Sequence, residues 1–401
     1  MLTVEQAIEQ LLSAAVPISG TETIDTLHAC GRVLAQPLAA AINVPPLDNS
    51  AMDGYAVRVA DVPVADTRLP VSQRIAAGQV GAVLQAGSAA RIFTGAPIPQ
   101  HADAILMQED CSVDGDGVVI HQLPKPNQHI RRAGEDIAAG STILEAGRQL
   151  RPQECGLAAS VGAAQLTVFA RLRVAVLFTG DELTLPGQPL KPGAIYNSNR
   201  FVLINALQQL GCVVNDLGIV PDNLAATRAA LQQAAQSSDL IISSGGVSVG
   251  EEDHVKAAVD AEGALQLWSI AVKPGKPLAF GHIKHSRGAT PIIGLPGNPV
   301  SSLVTFLIFA RPFILRRQGR VDVTPQAMQL RADFNWPRPD KRREYLRVRV
   351  NPLGGLDLFA NQKSGVLTST TWADGLVNNP PAQAIRVGDL IEYLPFSGLL
   401  S

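Results

Sequence analysis

Acidic, glycine-rich and lysine-bearing turns interrupt an otherwise apolar chain, and their residue types define the chemistry open to it. The stretch from Pro45 to Arg58 reads PPLDNSAMDGYAVR, with Asp48 and Asp53 set among turn-forming residues beside Met52 and Tyr55. Neither helix nor strand favours that composition, so this is either a solvated loop or a shaped loop that carries carboxylates into a site. Three later turns each follow an apolar strand-like run. VAVLF precedes TGDEL (Thr179, Gly180, Asp181, Glu182), and DLIIS precedes SGGVSVGEED (Gly245, Gly246, Ser248 and Gly250, then Glu251, Glu252 and Asp253). PIIGL precedes PGNP, with Gly297, Asn298 and Pro299. Glycines between a strand and a helix expose backbone N–H groups and the positive end of the helix, which suits a phosphate. Each loop also has a purely structural explanation: Asn298 as a helix cap, Glu251 to Asp253 as complements to a helix dipole, and glycines as turn formers. SGGVSVG is neither a P-loop nor G-x-G-x-x-G, so neither a P-loop NTPase nor a Rossmann dehydrogenase follows.

Cations add a second theme. VKPGKPLAFG places Lys273 and Lys276 around a Pro-Gly turn, predicted to aim both ammonium groups at one point as a grip for an oxyanion or phosphate; the alternative is a surface turn with solvated lysines. In RPDKRREYLRVRV, strand alternation puts Arg343, Tyr345, Arg347 and Arg349 on one face, read as solvated for most of them. Asp340 and Glu344 interrupt that basic run and no aromatic platform follows, which argues against nucleic acid. The histidines lack H-x-x-x-H or H-E-x-x-H spacing, so clustered carboxylates favour a hard ion such as Mg²⁺ over a His-ligated metal.

These turns need elements to position them. The 401 residues suggest two to four domains, and a formal charge of −2 gives no general attraction to nucleic acid or an anionic membrane. Up to about residue 170, helix patterns at each end flank short β-like pieces, and the helix beginning near Pro152 is expected to return and pack on the first one. That first helix carries a capping box at Thr3 and Gln6, with Val4, Ala7, Ile8, Leu11 and Leu12 on one face. From Arg173 to about Arg320, continuous apolar strands alternate with helices, the mark of a sheet covered on both faces. The tail from Val321 alternates like a small barrel. The expected fold is therefore multidomain α/β plus β. Region 1–170 holds a helical lobe built from its two ends and a β-rich lobe near 55–140; 171–320 is an α/β domain with a mostly parallel sheet; 321–401 is a small β-barrel. Four scattered cysteines fit free thiols in a reducing cytosol, and no stretch has the ~18 uninterrupted apolar residues of a membrane span, so a cytoplasmic protein is expected.

PPLDNSAMDGYAVR, FTGAPIP, RRAGEDI, FTGDEL, YNSN, SSGGVSVGEEDHVK, KPGKPLAFG and LPGNPVS occur in the order seen in the molybdopterin molybdenumtransferase family, to which the C-terminal domain of gephyrin is related. The chain resembles that family from its first helix to its barrel. The resemblance implies an elongated homodimer whose cleft lies between the α/β domain of one subunit and the N-terminal region of the other. It implies that adenylyl-molybdopterin and molybdate react, with Mg²⁺, to give molybdenum cofactor and AMP. It implies that Asp53 is an active-site aspartate presented across the dimer interface, with Met52 and Tyr55 anchoring its loop and Asp48, Asn49 and Ser50 shaping it locally. Thr94, Asp136, Glu182, Asp222 and Asp253 fall on functional positions, although Asp222 also reads as a helix cap. Asp53, Glu182 and Asp253 are the implied metal ligands. Gly245, Gly246, Ser248, Gly250, Asn197, Ser198, Asn199, Pro296, Gly297, Asn298 and Pro299 would bind substrate; Lys273, Lys276 and Pro277 would face molybdate, with Arg343 and Ser364 as further contacts. Implied partners are a molybdopterin adenylyltransferase and apo-molybdoenzymes, with no nucleic acid and no membrane. The alternatives are an adenylyltransferase-like enzyme, a non-catalytic dimeric scaffold or carrier of molybdopterin, and tungstate in place of molybdate.

Overall fold

The computed structural model describes residues 1–246 and 254–400. Three six-stranded sheets organise it. The first lies in the N-terminal region, in the order Ala104–Met107, Gly54–Val57, Ala89–Ile92, Thr67–Ile75, Gly117–Ile120 and Cys111–Asp114. Tyr55, Val57, Ala104, Leu106 and Val118 pack on one side of it, and Ala56, Ile75, Leu84, Ile92 and Ile105 form a second cluster. Below it, the chain leaves and returns side by side. Thr21–Asp25 pairs with Gln165–Phe169, Leu38–Ala39 with Thr142–Leu144, and Asn49–Ser50 with Ile130–Arg131. The two lobes are thus interwoven.

Helix Pro152–Ser160 does not pack on the first helix as expected. Its Ala158 joins Ala29, Leu34, Leu150, Leu166 and Val168 in a cluster of its own. The first helix, Val4–Ala14, has the expected capping box at Thr3 and Gln6. It buries Val4, Ala7 and Leu11 with Leu172, Phe306, Phe309 and Phe313. The physical reason is the larger apolar surface offered there: a short helix rich in alanine gives little to cover.

The central sheet runs Val213–Val220, Arg173–Thr179, Leu240–Ser244, Gly288–Leu295, Pro277–His285, Gly263–Ser269. Its first four strands are parallel neighbours, and Pro277–His285 pairs antiparallel on both sides. Alternation along Arg173–Thr179 feeds two cores. Val174, Val176 and Phe178 face Leu203, Leu207 and the helical stretch from Pro299, while Ala175 and Leu177 face Leu231, Ala234, Val255 and Val259. Helices therefore cover both faces, which is why these strands carry continuous apolar runs. Pro299–Arg317 is long and apolar enough by composition to cross a membrane, but 83% of that window is buried inside the protein. It serves as a core helix.

The third sheet holds Arg343–Val350, Gly375–Asn379, Leu390–Pro395 and Met328–Arg331, with Leu356–Leu358 also paired to Arg343–Val350. A bridge from Ala332 to Leu356 joins its two ends. Val272–Lys273, from the turn before Pro277, adds to this sheet in parallel with Arg343 and Glu344. Of Arg343, Tyr345, Arg347 and Arg349, expected to be mostly solvated, only Arg349 is exposed. Tyr345 is 3% and Arg347 1% exposed, because the core under the first helix and the segment around Ser369 cover them.

Candidate functional site

Strand direction decides the site. Arg173–Thr179, Leu240–Ser244 and Gly288–Leu295 run parallel, with Phe178 level with Ser244 and Ser244 level with Leu295. Their C-terminal ends form one rim, where ligands gather in sheets of this kind. A cavity of about 830 Å³ opens there. It is lined by Thr179, Gly180 and Glu182 from the first loop, Gly245 and Gly246 from the second, and Pro296, Gly297, Asn298 and Pro299 from the third. Asn197, Ser198, Asn199, Asp222, Lys276 and Pro277 also line it.

Local chemistry shapes the lining. Gly245 and Gly246 have φ of +93° and +65°, and a Cβ on Gly245 would lie 2.6 Å from the Thr179 carbonyl oxygen. Only glycine fits both the conformation and the close approach. Asn199 Nδ2 donates to Ser244 Oγ at 3.0 Å and to the Gly297 carbonyl at 2.7 Å, tying two rim loops together. Asn197 is buried, and its Oδ1 caps the helix by accepting from the Arg200 N–H at 3.1 Å, while its Nδ2 has no hydrogen-bond partner among the described residues. Asn298 occupies an N-cap position but makes no capping side-chain bond, so that structural explanation fails for its side chain. The same holds for Asp222. Asn223 caps the helix, accepting from Ala226 N–H at 2.8 Å, and Asp222 is left at the cavity.

The two lysines diverge rather than converge. Lys276 is exposed at the cavity and makes no ion pair among the described residues. Lys273, extended in the short strand that joins the third sheet, pairs with Glu344 at 3.1 Å and Asp340 at 3.5 Å. Glu344 is 1% exposed and also accepts from Trp336 Nε1 at 2.7 Å, so the contact is built into the domain junction. Arg343 is engaged as well, pairing with Glu5 at 2.6 Å and Asn378 at 3.0 Å. Ser364 lies beside the cavity-lining Gly365, and its carbonyl accepts from the Val300 N–H at 3.0 Å.

A second constellation sits on the N-terminal sheet. Gly54 pairs with Ile92 across antiparallel strands, which brings the residue before one strand beside the residues after the other. Asp53 Oδ1 therefore accepts from both the Thr94 N–H and the Thr94 hydroxyl, each at 2.8 Å. These bonds hold the Asp53 carboxyl below its usual range. Ser50 shapes the loop locally, donating to the Met52 carbonyl at 2.6 Å. Asp48 instead reaches across to the Ala133 N–H at 2.8 Å and to Arg132, fixing the segment that carries Asp136. Tyr55 is buried, whereas Met52 is 39% exposed rather than buried. Asp53, Thr94 and Asp136 do not line the cavity.

The comparisons agree along the whole chain. Family models match residues 2–162 (MoeA N-terminal region, domains I and II), 175–316 (a molybdopterin binding domain) and 329–396 (MoeA C-terminal region, domain IV). A Haemophilus influenzae protein named molybdopterin molybdenumtransferase is 44% identical over 80% of this chain and 78% of its own length. The chain belongs to the molybdopterin molybdenumtransferase family. A Nostoc member of the same name is 37% identical over 94% of this chain and 87% of its own. A crystal structure of a molybdopterin biosynthesis MoeA protein from Pyrococcus horikoshii overlays with a TM-score of 0.82 at 30% identity, covering 99% of each chain.

For this molybdenumtransferase-family chain, the positions carried over by resemblance fall into separate groups. Glu182, Asp222, Lys276, Pro277, the asparagine turn and the glycine loops share the cavity, while Asp53 and Thr94 are joined on the N-terminal sheet and Asp136 lies in another segment of the N-terminal region, its N–H bonded to the Val44 carbonyl. Ser248, Gly250 and Asp253 lie outside the described residues. Among those described, no group of three or more His, Cys, Asp or Glu is placed to hold a metal. Sequence reasoning missed Ser244 and Ser301, which line the cavity. Ser244 had a signal, since it ends an apolar strand directly before Gly245.

Proposed function

We propose that this family member inserts molybdenum into adenylyl-molybdopterin at the strand-end cavity, consuming molybdate and releasing AMP. The observation that carries the reading is the cavity itself. Three glycine-bearing loops meet at one rim, and Lys276 and the carboxylates of Glu182 and Asp222 share it. Backbone N–H groups there suit phosphates, and an ammonium without an ion pair among the described residues suits the oxyanion. The protein's contribution is mainly positioning. Rim loops held by Asn199 fix the adenylylated substrate, and Lys276 draws molybdate beside the dithiolene, so proximity lowers the barrier.

In this reading the functional unit is a homodimer, with Asp53 and Thr94 of one copy facing the cavity of the other. The support is that one chain separates the two acidic sets and leaves the Asp53 face uncovered by any of its own cavity residues. Mg²⁺, which when bound would offset charge on the phosphoanhydride, would be held by Glu182, by Asp53 from the second copy and by Asp253, which lies outside the described residues; Asp222 is a further hard oxygen donor at the cavity. Residues 1–170, 171–320 and 321–401 act as the three working regions, and the four unpaired cysteines fit a cytoplasmic setting.

A single-turnover assay with adenylyl-molybdopterin, molybdate and Mg²⁺ tests this. Molybdate-dependent AMP release with reconstitution of an apo-molybdoenzyme supports insertion. Tight binding of the adenylate without molybdate-dependent AMP release points to a carrier instead.

A further inference from the structure

Arg74 and Arg91 are register partners on neighbouring parallel strands of the N-terminal sheet. Like charges placed side by side destabilise a sheet. Neither makes an ion pair among the described residues that would relieve the repulsion. Both instead lie against one aromatic ring: the Arg74 and Arg91 guanidinium groups are 4.4 and 4.8 Å from the Phe93 centroid. Arg91 also lies 5.1 Å from the ring of Tyr55, donates to the Gly54 carbonyl at 3.2 Å and binds Gln108 at 2.5 Å. Phe93 directly precedes Thr94, so this stack stands beside the Asp53–Thr94 pair. Arg91 contributes to keeping the Asp53 carboxyl ionised.

Guanidinium groups held against a ring still present to a planar or tetrahedral anion the N–H groups not already bonded, and Arg91 keeps such donors beyond those given to Gly54 and Gln108. The contacts to Phe93 offset part of the repulsion, but no carboxylate among the described residues forms an ion pair with either arginine. An anionic ligand would supply that counter-charge. We propose that Arg74, Phe93 and Arg91 form a phosphate-recognition platform, which contacts the phosphoanhydride of adenylyl-molybdopterin held in the cavity of a second copy. This rests on the two-copy reading above. It goes beyond that reading by making this stack a determinant of specificity for the adenylylated substrate, distinct from the molybdate grip.

The test uses the full-length protein carrying Arg74→Gln, Phe93→Leu or Arg91→Lys. Arg74 is exposed and lies against Phe93, whereas Arg91 also bonds the Gly54 carbonyl next to Asp53, so Arg74→Gln perturbs the platform with less effect on the loop than a change at Arg91. The expected result is a KM for adenylyl-molybdopterin raised about 10-fold or more, as for loss of a charge-assisted contact. The KM for molybdate should stay unchanged, and the salt dependence of substrate binding should weaken. An unchanged KM for adenylyl-molybdopterin in both Arg74→Gln and Phe93→Leu, with wild-type mass in sedimentation, overturns the platform. A wild-type protein that sediments as a monomer under assay conditions overturns the two-copy reading instead, and removes the platform's occupant with it.

Discussion

Thr94 commits both its backbone N–H and its hydroxyl to a single oxygen of Asp53, each at 2.8 Å. The carboxylate oxygen Oδ1 is thereby fixed in place. The Asp53 pKa is depressed below 3.8, chiefly by the Thr94 backbone bond and then by the hydroxyl. The stabilisation from these bonds is therefore complete above pH 3.8 and is lost as pH falls through the lowered value. Thr94→Val keeps the backbone bond and removes the hydroxyl. Its Asp53 carboxyl should titrate at higher pH than in the wild type, read by carbon NMR of the side chain. Turnover should fall roughly 10-fold with the fold retained.

Complementation follows from the two separated acidic sets. Asp53→Asn and Glu182→Gln homodimers should each be inactive in AMP release. Mixed after unfolding and refolding together, they should recover activity, because a heterodimer holds one cleft with both native acids. Recovery should approach one quarter of wild-type turnover for random pairing, since half the dimers are mixed and each has one intact cleft. No recovery, despite proven subunit exchange, would show that both acids act within one chain.

The rim depends on glycine at position 245 for two reasons, a left-handed backbone and a close approach. Gly245→Ala places a methyl 2.6 Å from the Thr179 carbonyl oxygen at a φ of +93°. Gly87→Ala meets open space at a φ of +73° and serves as the control. Chemical denaturation should show a loss of about 3 kcal/mol for the first and about 1 kcal/mol for the second. Only Gly245→Ala should also abolish substrate binding.

Glu154 gives a pH signature of stability. It is 4% exposed and is held by Arg151 at 2.6 Å and Arg148 at 2.8 Å. Its pKa falls from 4.5 to about 2, chiefly through the Arg151 side-chain bonds. Because the folded value is depressed, its contribution is complete above about pH 4.5 and disappears as pH falls toward 2. Urea midpoints of wild type and Glu154→Gln should differ most at neutral pH and converge near pH 2.

Much of the site was readable because its loops follow strands that announce themselves. Continuous apolar runs ending in Thr179, Ser244 and Leu295 could only be buried strands, and the turns after them had to share a rim once those strands ran parallel. The turn at Lys273 and Lys276 misled, because spacing alone says nothing about which domain takes up each side chain. Glu344, 71 residues away, claims Lys273. Alternation in Arg343–Val350 identified one face of a strand but not what covers it, and Tyr345 and Arg347 proved to be buried by segments distant in sequence.

By itself the sequence determined the local things: the capping box at Thr3 and Gln6, the period of the buried strands, and the glycines whose backbone no other residue could adopt. These follow from neighbours within a few residues, where sterics and hydrogen bonding are settled by residue type. The tertiary structure alone decided that the first helix serves the central core, that Asn223 rather than Asp222 caps its helix, and that Asp53 meets Thr94 while standing apart from the cavity. Those outcomes depend on which distant surfaces bury the most apolar area and which donors are left unpaired when they do, and the chain settles that only by folding.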